Sequence, residues 1–265
     1  MAQTRGTLSE WTGATLARVL PAGVLHTLVA RLAERAPQTL LEAFGPQLNR
    51  KPTLDTMPFD LPANRPLHFE HLAGLFASTS LDHAVISMPV RQAAYLFGLI
   101  RQMPARKVIE IGRYKGGSTF LIAAALQGQG QCWSIDLGDK EGRLFGASSR
   151  SFSQQLTDAC RRFGLPVTLI DGDSRTVDVD TGEVDLVFID GDHSYEGAKN
   201  DFERFGRRVR VGGAVLFDDA FDEGLFKTHS DTVGQLVREI ASGGEFALVK
   251  VVNRLAHLER VRPAA

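Results

Sequence analysis

Apolar residues recur in two alternating patterns from about residue 90 onward. Short apolar or β-branched runs predict five strands, at residues 107–111, 132–136, 167–171, 185–190 and 214–218. Longer stretches with helical spacing predict helices at residues 90–103, 118–126, 151–163 and 195–209. Strands that alternate with helices form βαβ units, whose right-handed crossovers build one parallel sheet. We therefore expect an α/β fold with a doubly wound sheet.

The pattern changes after Asp219. A further helix is predicted near residues 232–241, and two apolar runs follow it at residues 246–252 and 255–261. Since a parallel crossover needs about a dozen residues, two strands this close must pair as a hairpin. The parallel sheet is therefore predicted to finish in a C-terminal antiparallel hairpin.

Residues 1–85 have a different character. An amphipathic helix is predicted to end near Ala36-Pro37, and prolines then recur between residues 52 and 66. We expect a helical or irregular N-terminal extension over residues 1–85, acting as a lid or an oligomer arm, ahead of a catalytic domain over residues 86–265. Because the apolar face of its helix must be buried, we expect a homo-oligomer.

Composition excludes several classes of protein. The chain has 265 residues, 43% of them hydrophobic, and a formal net charge of −1, which gives no basic field for a nucleic acid. The chain has no apolar run of membrane-spanning length. Its two cysteines form no CxxC pair, which fits a reducing compartment. We expect a cytoplasmic protein with a small-molecule partner, and neither nucleic acid nor a membrane.

A glycine loop joins the first predicted strand to the next helix. It reads Gly112-Arg-Tyr-Lys-Gly116-Gly117-Ser118. Glycines let a ligand approach the backbone closely, and the N–H groups that open the helix suit an anion. The spacing differs from the G-x-G-x-x-G of dinucleotide sites, and the loop does not end in the Gly-Lys-Ser/Thr of a P-loop.

Acidic residues follow the next two strands. Asp136 ends the second strand, where a carboxylate can accept hydrogen bonds from ribose hydroxyls. Asp173 and Ser174 follow the third strand. Taken singly, each aspartate could equally cap a neighbouring turn. Three such strand ends in chain order favour a nucleoside site.

A second acidic group is predicted where the fourth and fifth strands end. Asp190 follows one strand, and Asp218 and Asp219 follow the other. Clustered carboxylates raise one another's pKa unless a cation joins them, and oxygen ligands suit Mg²⁺. We expect these three residues to hold Mg²⁺. Alternatively, Asp218 and Asp219 cap a turn and Asp190 helps to bind a cofactor, while His193 is a second candidate base.

In this order the motifs resemble those of class I S-adenosylmethionine-dependent methyltransferases. The matching residues are Glu110-x-Gly112-x-x-x-Gly116-Gly117-Ser118, Asp136 and Asp171-Gly172-Asp173-Ser174. The resemblance covers about residues 88–261 and implies a Rossmann-like sheet with an antiparallel seventh strand. It also implies that the methionine part of the cofactor faces Glu110, Gly112, Tyr114, Gly116 and Ser118. Asp136 would face the ribose, and Asp173-Ser174 the adenine region.

The second acidic group carries a narrower resemblance. Asp190-Gly-Asp192-His193-Ser-Tyr195-Glu196 and Phe217-Asp218-Asp219 resemble the metal-dependent macrocin and novobiocin sugar O-methyltransferases and a cephalosporin-pathway relative. This resemblance implies Mg²⁺ at the acidic positions, with Asp190 favoured over His193 as the base. Catechol-type enzymes usually have Asp-Asn where this chain has Asp218-Asp219, which disfavours a catechol.

The sequence therefore predicts Mg²⁺-assisted methyl transfer from S-adenosylmethionine to a hydroxyl of a small molecule, a sugar or a natural-product intermediate. The first alternative is a metal-independent methyltransferase that uses His193 as its base. A second alternative is an NAD-dependent oxidoreductase, against which the glycine spacing argues. The third is a binding module that keeps the fold without catalysis.

Overall fold

The computed structural model describes residues 53–55, 57, 66–76, 84–103, 105–138, 151–221 and 231–263. The predicted helix that ends near Ala36 lies outside these residues, as does most of the N-terminal extension. Within the described ranges, the longest helices are too short or too polar to pass through a bilayer.

Strands and helices alternate through the described part of the chain. Its strands are β1 (Lys107–Ile111), β2 (Gln131–Asp136), β3 (Val167–Asp171), β4 (Val184–Ile189), β5 (Val209–Phe217), β6 (Phe246–Val252) and β7 (Leu255–Arg260). Its α-helices are α1 (Val90–Gln102), α2 (Gly117–Leu126), α3 (Phe152–Phe163), α4 (Tyr195–Arg204) and α5 (Asp231–Ser242). Two 3₁₀ segments, Phe69–Phe76 and Gly206–Arg208, complete the regular elements.

The strands form one seven-stranded sheet in the order β3-β2-β1-β4-β5-β7-β6. The first five strands in this order are parallel, whereas β7 runs antiparallel to both β5 and β6. The predicted doubly wound sheet and its terminal hairpin are confirmed. The direction of winding reverses between β1 and β4, and a crevice opens at such a switch point beyond the carboxyl ends of the strands.

Side chains alternate across the sheet and build an apolar core on each face. Val108, Leu186 and Leu216 pack with α1, α2 and α3 on one face. Ile109, Val187 and Val215 pack with α4 and α5 on the other face. A strand covered on both sides needs apolar residues at successive positions, which explains why these strands read as continuous apolar runs.

Most predicted boundaries lie within one residue of the observed ones. The predicted helix 195–209 was too long, because α4 ends at Arg204 and a 3₁₀ turn leads into β5. The predicted strand 214–218 was too short, since β5 begins at Val209. Its pairing with β4 shifts register between Val184 and Leu186, where Gly212 adopts a positive φ of 76°. Such a bulge interrupts the apolar pattern that located the strand.

Candidate active site

A cavity of about 520 Å³ opens at the carboxyl ends of the strands. Its walls comprise residues 85–88, 111–114, 117–118, 135–138, 172–175 and 190–192, together with Phe152, Gly197 and Asp201. The cavity therefore lies at the switch point between β1 and β4, and its volume suits a cofactor-sized molecule.

The glycine loop after β1 is held against the neighbouring strands. The Gly112 N–H donates to the Ile135 carbonyl at 2.9 Å, and the Asp190 N–H donates to the Ile111 carbonyl at 2.8 Å. A Cβ on Gly112, whose φ is +92°, would lie 2.0 Å from the Asp190 carbonyl oxygen. Only glycine fits this approach.

The N-terminus of α2 faces the cavity. Gly116 caps this helix in the left-handed conformation, with φ of 86°, and Gly117 and Ser118 line the cavity wall. All ten residues of α2 are buried. The free N–H groups of a helix N-terminus carry partial positive charge, so this wall suits the carboxylate of a ligand.

Asp136 lines the cavity and also organises the backbone around it. One carboxylate oxygen accepts hydrogen bonds from the N–H groups of Arg113 at 2.8 Å and Tyr114 at 3.1 Å. The other accepts one from the Gly138 N–H at 2.9 Å. The turn-capping role that the sequence left open for Asp136 is thus present.

Arg113 is a site residue that sequence reasoning missed. Its side chain is buried, donates to the Ser134 carbonyl at 2.9 Å and to the Ser153 hydroxyl at 3.2 Å, and pairs with Asp171. It therefore ties the glycine loop to β2, β3 and α3. Its partners lie far away along the chain, and no local sequence signal identifies them.

Glu110 is fully buried beside the cavity and does not line it. It accepts hydrogen bonds from the hydroxyls of Thr119 and of Ser134, the latter at 2.7 Å. Burial raises the pKa of its carboxyl group, while these hydroxyls and that of Ser118 oppose the shift. Contact between Glu110 and a cofactor stays a prediction.

The polar wall after β3 contains the predicted pair Asp173 and Ser174. The Arg175 guanidinium binds Asp173 through both carboxylate oxygens and lowers the pKa of that carboxyl to about 2. Asp201, which the sequence analysis missed, lies buried in the same wall. Burial raises its pKa, and a hydrogen bond from Ser174 opposes the shift.

The acidic residues after β4 and β5 form one electrostatic cluster. Burial raises the pKa of Asp190 well above its usual range, and the charges of Asp218 and Asp219 raise it further. Burial also raises the pKa of Asp218, which accepts hydrogen bonds from the Gln92 side chain at 2.7 Å and the Asp219 N–H at 2.9 Å. Asp190 lines the cavity, whereas Asp218 and Asp219 lie outside its wall.

Existing contacts use part of the predicted Mg²⁺ site. Asp219 pairs with the Arg254 guanidinium at 2.5 Å, and the Oδ1 of Asp218 accepts both of the hydrogen bonds described above. Across the ranges that the structure describes, no group of three or more His, Cys, Asp or Glu residues is placed to hold a metal ion. Binding of Mg²⁺ by Asp190, Asp218 and Asp219 stays a prediction.

The remaining predicted residues divide between the cavity and its surroundings. Tyr114, with φ of 47°, lines the cavity and packs edge-on against Phe152 at a ring distance of 6.1 Å. Gly116 acts through the backbone as the cap of α2. The His193 Nδ1 lies 3.5 Å from an Asp219 carboxylate oxygen, outside the cavity wall.

Comparison with known proteins finds similarity to methyltransferases. A family described as "Methyltransferase domain" matches residues 109–220. A caffeoyl-CoA O-methyltransferase-like protein of Arabidopsis thaliana is 29% identical over 66% of this chain and 71% of its own length. The flavonoid 3',5'-methyltransferase of Vitis vinifera is 27% identical over 74% of this chain and 82% of its own length.

Solved structures agree on the fold. A caffeoyl-CoA O-methyltransferase-like protein from Staphylococcus aureus superposes with a TM-score of 0.50 at 17% identity, covering 64% of this chain and 82% of its own. Residues 109–220, which the family model matches, contain the glycine loop, Asp136 and the acidic residues Asp190, Asp218 and Asp219. Residues 109–220 therefore resemble a methyltransferase domain, and the sheet has the fold of the solved O-methyltransferase structure.

Proposed function

We propose that the chain transfers a methyl group from S-adenosylmethionine to a hydroxyl oxygen of a small molecule, a sugar or a natural-product intermediate. The observation that carries the proposal is the single cavity wall formed by the ends of β1 to β4, with Asp136, Asp173 and Asp190 in it. The relatives named for O-methyl transfer support oxygen as the acceptor atom.

The cavity offers complementary groups to each part of the cofactor. The N-terminus of α2, with Gly117 and Ser118, faces the cavity and would hold the carboxylate of the methionine part. Asp173 and Ser174 would hold the adenine edge. When bound, the cofactor supplies an electrophilic methyl group on a positively charged sulfur.

Asp136 would bind the ribose with less capacity than the sequence suggested. A carboxylate has about four acceptor positions, and three of those on Asp136 already receive backbone N–H groups. About one position remains, so Asp136 would accept from one ribose hydroxyl and hold the glycine loop with the rest.

Asp190 is the proposed base. Burial and the neighbouring carboxylates raise its pKa, and a base whose pKa approaches the working pH can take the hydroxyl proton effectively. His193 is the second candidate, since Asp219 lies 3.5 Å from its Nδ1 and could orient the ring. Mg²⁺ assistance is left out of this proposal, because the Arg254 guanidinium already pairs with Asp219.

Calorimetric titration of the purified protein with S-adenosylmethionine, S-adenosylhomocysteine and NAD tests the proposal. We expect both adenosyl ligands to bind and NAD not to bind. Asp136→Ala should weaken their binding by about 1.5–3 kcal/mol, whereas the exposed-surface variant Asp158→Ala should leave it unchanged. Binding of NAD alone would instead support the oxidoreductase alternative.

A further inference from the structure

Arg254 occupies the turn between β6 and β7, next to the end of β5. The preceding residue, Asn253, adopts a positive φ of 53° in this turn. The Arg254 carbonyl accepts a hydrogen bond from the Ala220 N–H at 2.9 Å, one residue beyond Asp219. The backbone therefore fixes Arg254 beside the acidic cluster formed by Asp190, Asp218 and Asp219.

The side chain of Arg254 meets this cluster directly. Its Nη1 lies 2.5 Å from an Asp219 carboxylate oxygen, and the two side chains are only 26% and 20% exposed. Its charge also favours the ionised forms of Asp190 and Asp218, whose pKa values it lowers against the effect of burial. One guanidinium therefore acts on all three carboxylates.

A divalent ion would have to displace the Arg254 guanidinium from Asp219 and would find one oxygen of Asp218 already in use. The Gln92 amide and the Asp219 N–H both donate to the Oδ1 of Asp218. Gln92 is fully buried on α1, so it cannot turn outward without disturbing the packing of that helix. Arginine stays charged at any working pH, so its charge is permanent.

We propose that Arg254 is the built-in counter-charge of the acidic cluster, in the place where a metal ion was expected, and that methyl transfer here needs no divalent ion. Arg254 acts through Asp219 and is a positioning residue. It would keep the cluster from repelling itself and hold Asp190 at the cavity wall. The inference about turnover rests on the proposed function, whereas the inference about metal binding stands without it.

Titration with Mn²⁺, followed by electron paramagnetic resonance, tests metal binding without a turnover assay. With S-adenosylhomocysteine present, we expect the wild-type protein and Arg254→Lys to show no saturable Mn²⁺ binding. Arg254→Gln, which leaves three carboxylates without their cation, should gain one Mn²⁺ site. Arg210→Gln is the matched control, because Arg210 forms a comparable pair with Asp185 at 2.7 Å far from the cavity, and it should gain none.

Turnover assays with and without a divalent ion provide a second test of the proposal. The wild-type protein should turn over equally fast in excess EDTA and in Mg²⁺, while Arg254→Gln should lose turnover in EDTA and regain part of it with Mg²⁺. Saturable Mn²⁺ binding to wild type that Asp218→Asn removes would overturn the proposal, even if Arg254→Gln failed to fold. Absence of a new Mn²⁺ site in a folded Arg254→Gln would also overturn it. Failure of the proposed function would appear separately, as absent binding of S-adenosylmethionine.

Discussion

His257 lies on β7 with its ring packed against α1. Its side chain is almost fully buried, and its Nδ1 lies 2.7 Å from the Tyr95 hydroxyl. The Lys250 ammonium lies 5.1 Å from the centre of the Tyr95 ring. Burial lowers the pKa of His257 to about 4, so the ring is neutral in the folded protein at neutral pH.

This shift predicts a pH dependence of stability. Between pH 6.5 and about 4, the unfolded chain binds a proton at His257 that the folded protein does not bind. The contribution of neutral His257 to the free energy of unfolding is therefore complete above pH 6.5. This contribution falls by about 3 kcal/mol as the pH drops through this window. Urea unfolding of wild type and His257→Gln at several pH values measures the free energy of unfolding. The same dependence of this free energy on pH in the two proteins would contradict the prediction.

The choice of base is also decided at single residues. Asp190→Asn removes a carboxylate that lines the cavity, so we expect kcat to fall by about 10²–10⁴-fold while calorimetry shows cofactor binding preserved. His193→Gln should have a much smaller effect, because His193 lies outside the cavity wall. The reverse order of effects would make His193 the base.

At the scale of elements, we expect alanine substitutions at two glycines to change the stability of the protein in opposite directions. Gly112→Ala would force a Cβ to within 2.0 Å of the Asp190 carbonyl oxygen at a positive φ, at the contact between the glycine loop and the end of β4. We expect a loss of about 1–3 kcal/mol in stability and weaker cofactor binding. Gly98→Ala is the control, since nothing lies within 4 Å of its Cβ in α1. It should stabilise the protein by about 0.5–1 kcal/mol. Thermal unfolding measures both, and a Gly112→Ala protein as stable as wild type would refute the close-contact argument.

The elements themselves were predictable because each carries its own local signal. Apolar runs marked the buried strands, and strand-end aspartates marked the crevice. The pairs that organise the site carry no such signal. Gln92 and Asp218 are 126 positions apart, and Arg113 and Asp171 are 58 apart. Nothing in the local sequence distinguishes Arg254 from other turn residues, so only the folded chain identifies it as the partner of Asp219.

At the scale of the whole molecule, the described part of the N-terminal extension already contributes to the cavity. Val85 lines its wall, and the Leu75 carbonyl accepts a hydrogen bond at 3.1 Å from the N–H of Ile86, the first residue beyond the extension. Leu72 and Leu75 are buried in the core that α1 and α2 share. A boundary at residue 85 between an extension and a catalytic domain therefore stays a proposal.

We expect deletion of residues 1–50 to spare this packing and the binding of S-adenosylmethionine. It should nevertheless impair acceptor turnover or oligomer formation, if the extension acts as a lid or an oligomer arm as proposed. Calorimetry, light scattering and turnover of the truncated protein measure the three properties. A truncated protein with unchanged size and activity would reject both roles.

The strand order has a consequence for a chain that lacks its last strand. β7 follows β6 in the sequence but lies between β5 and β6 in the sheet. In a chain without residues 255–260, β5 presents an open edge of unpaired backbone groups, and β6 has no neighbour to join. A chain cut off just after β6 would therefore be prone to wrong pairing, and the docking of β7 closes both gaps in one step.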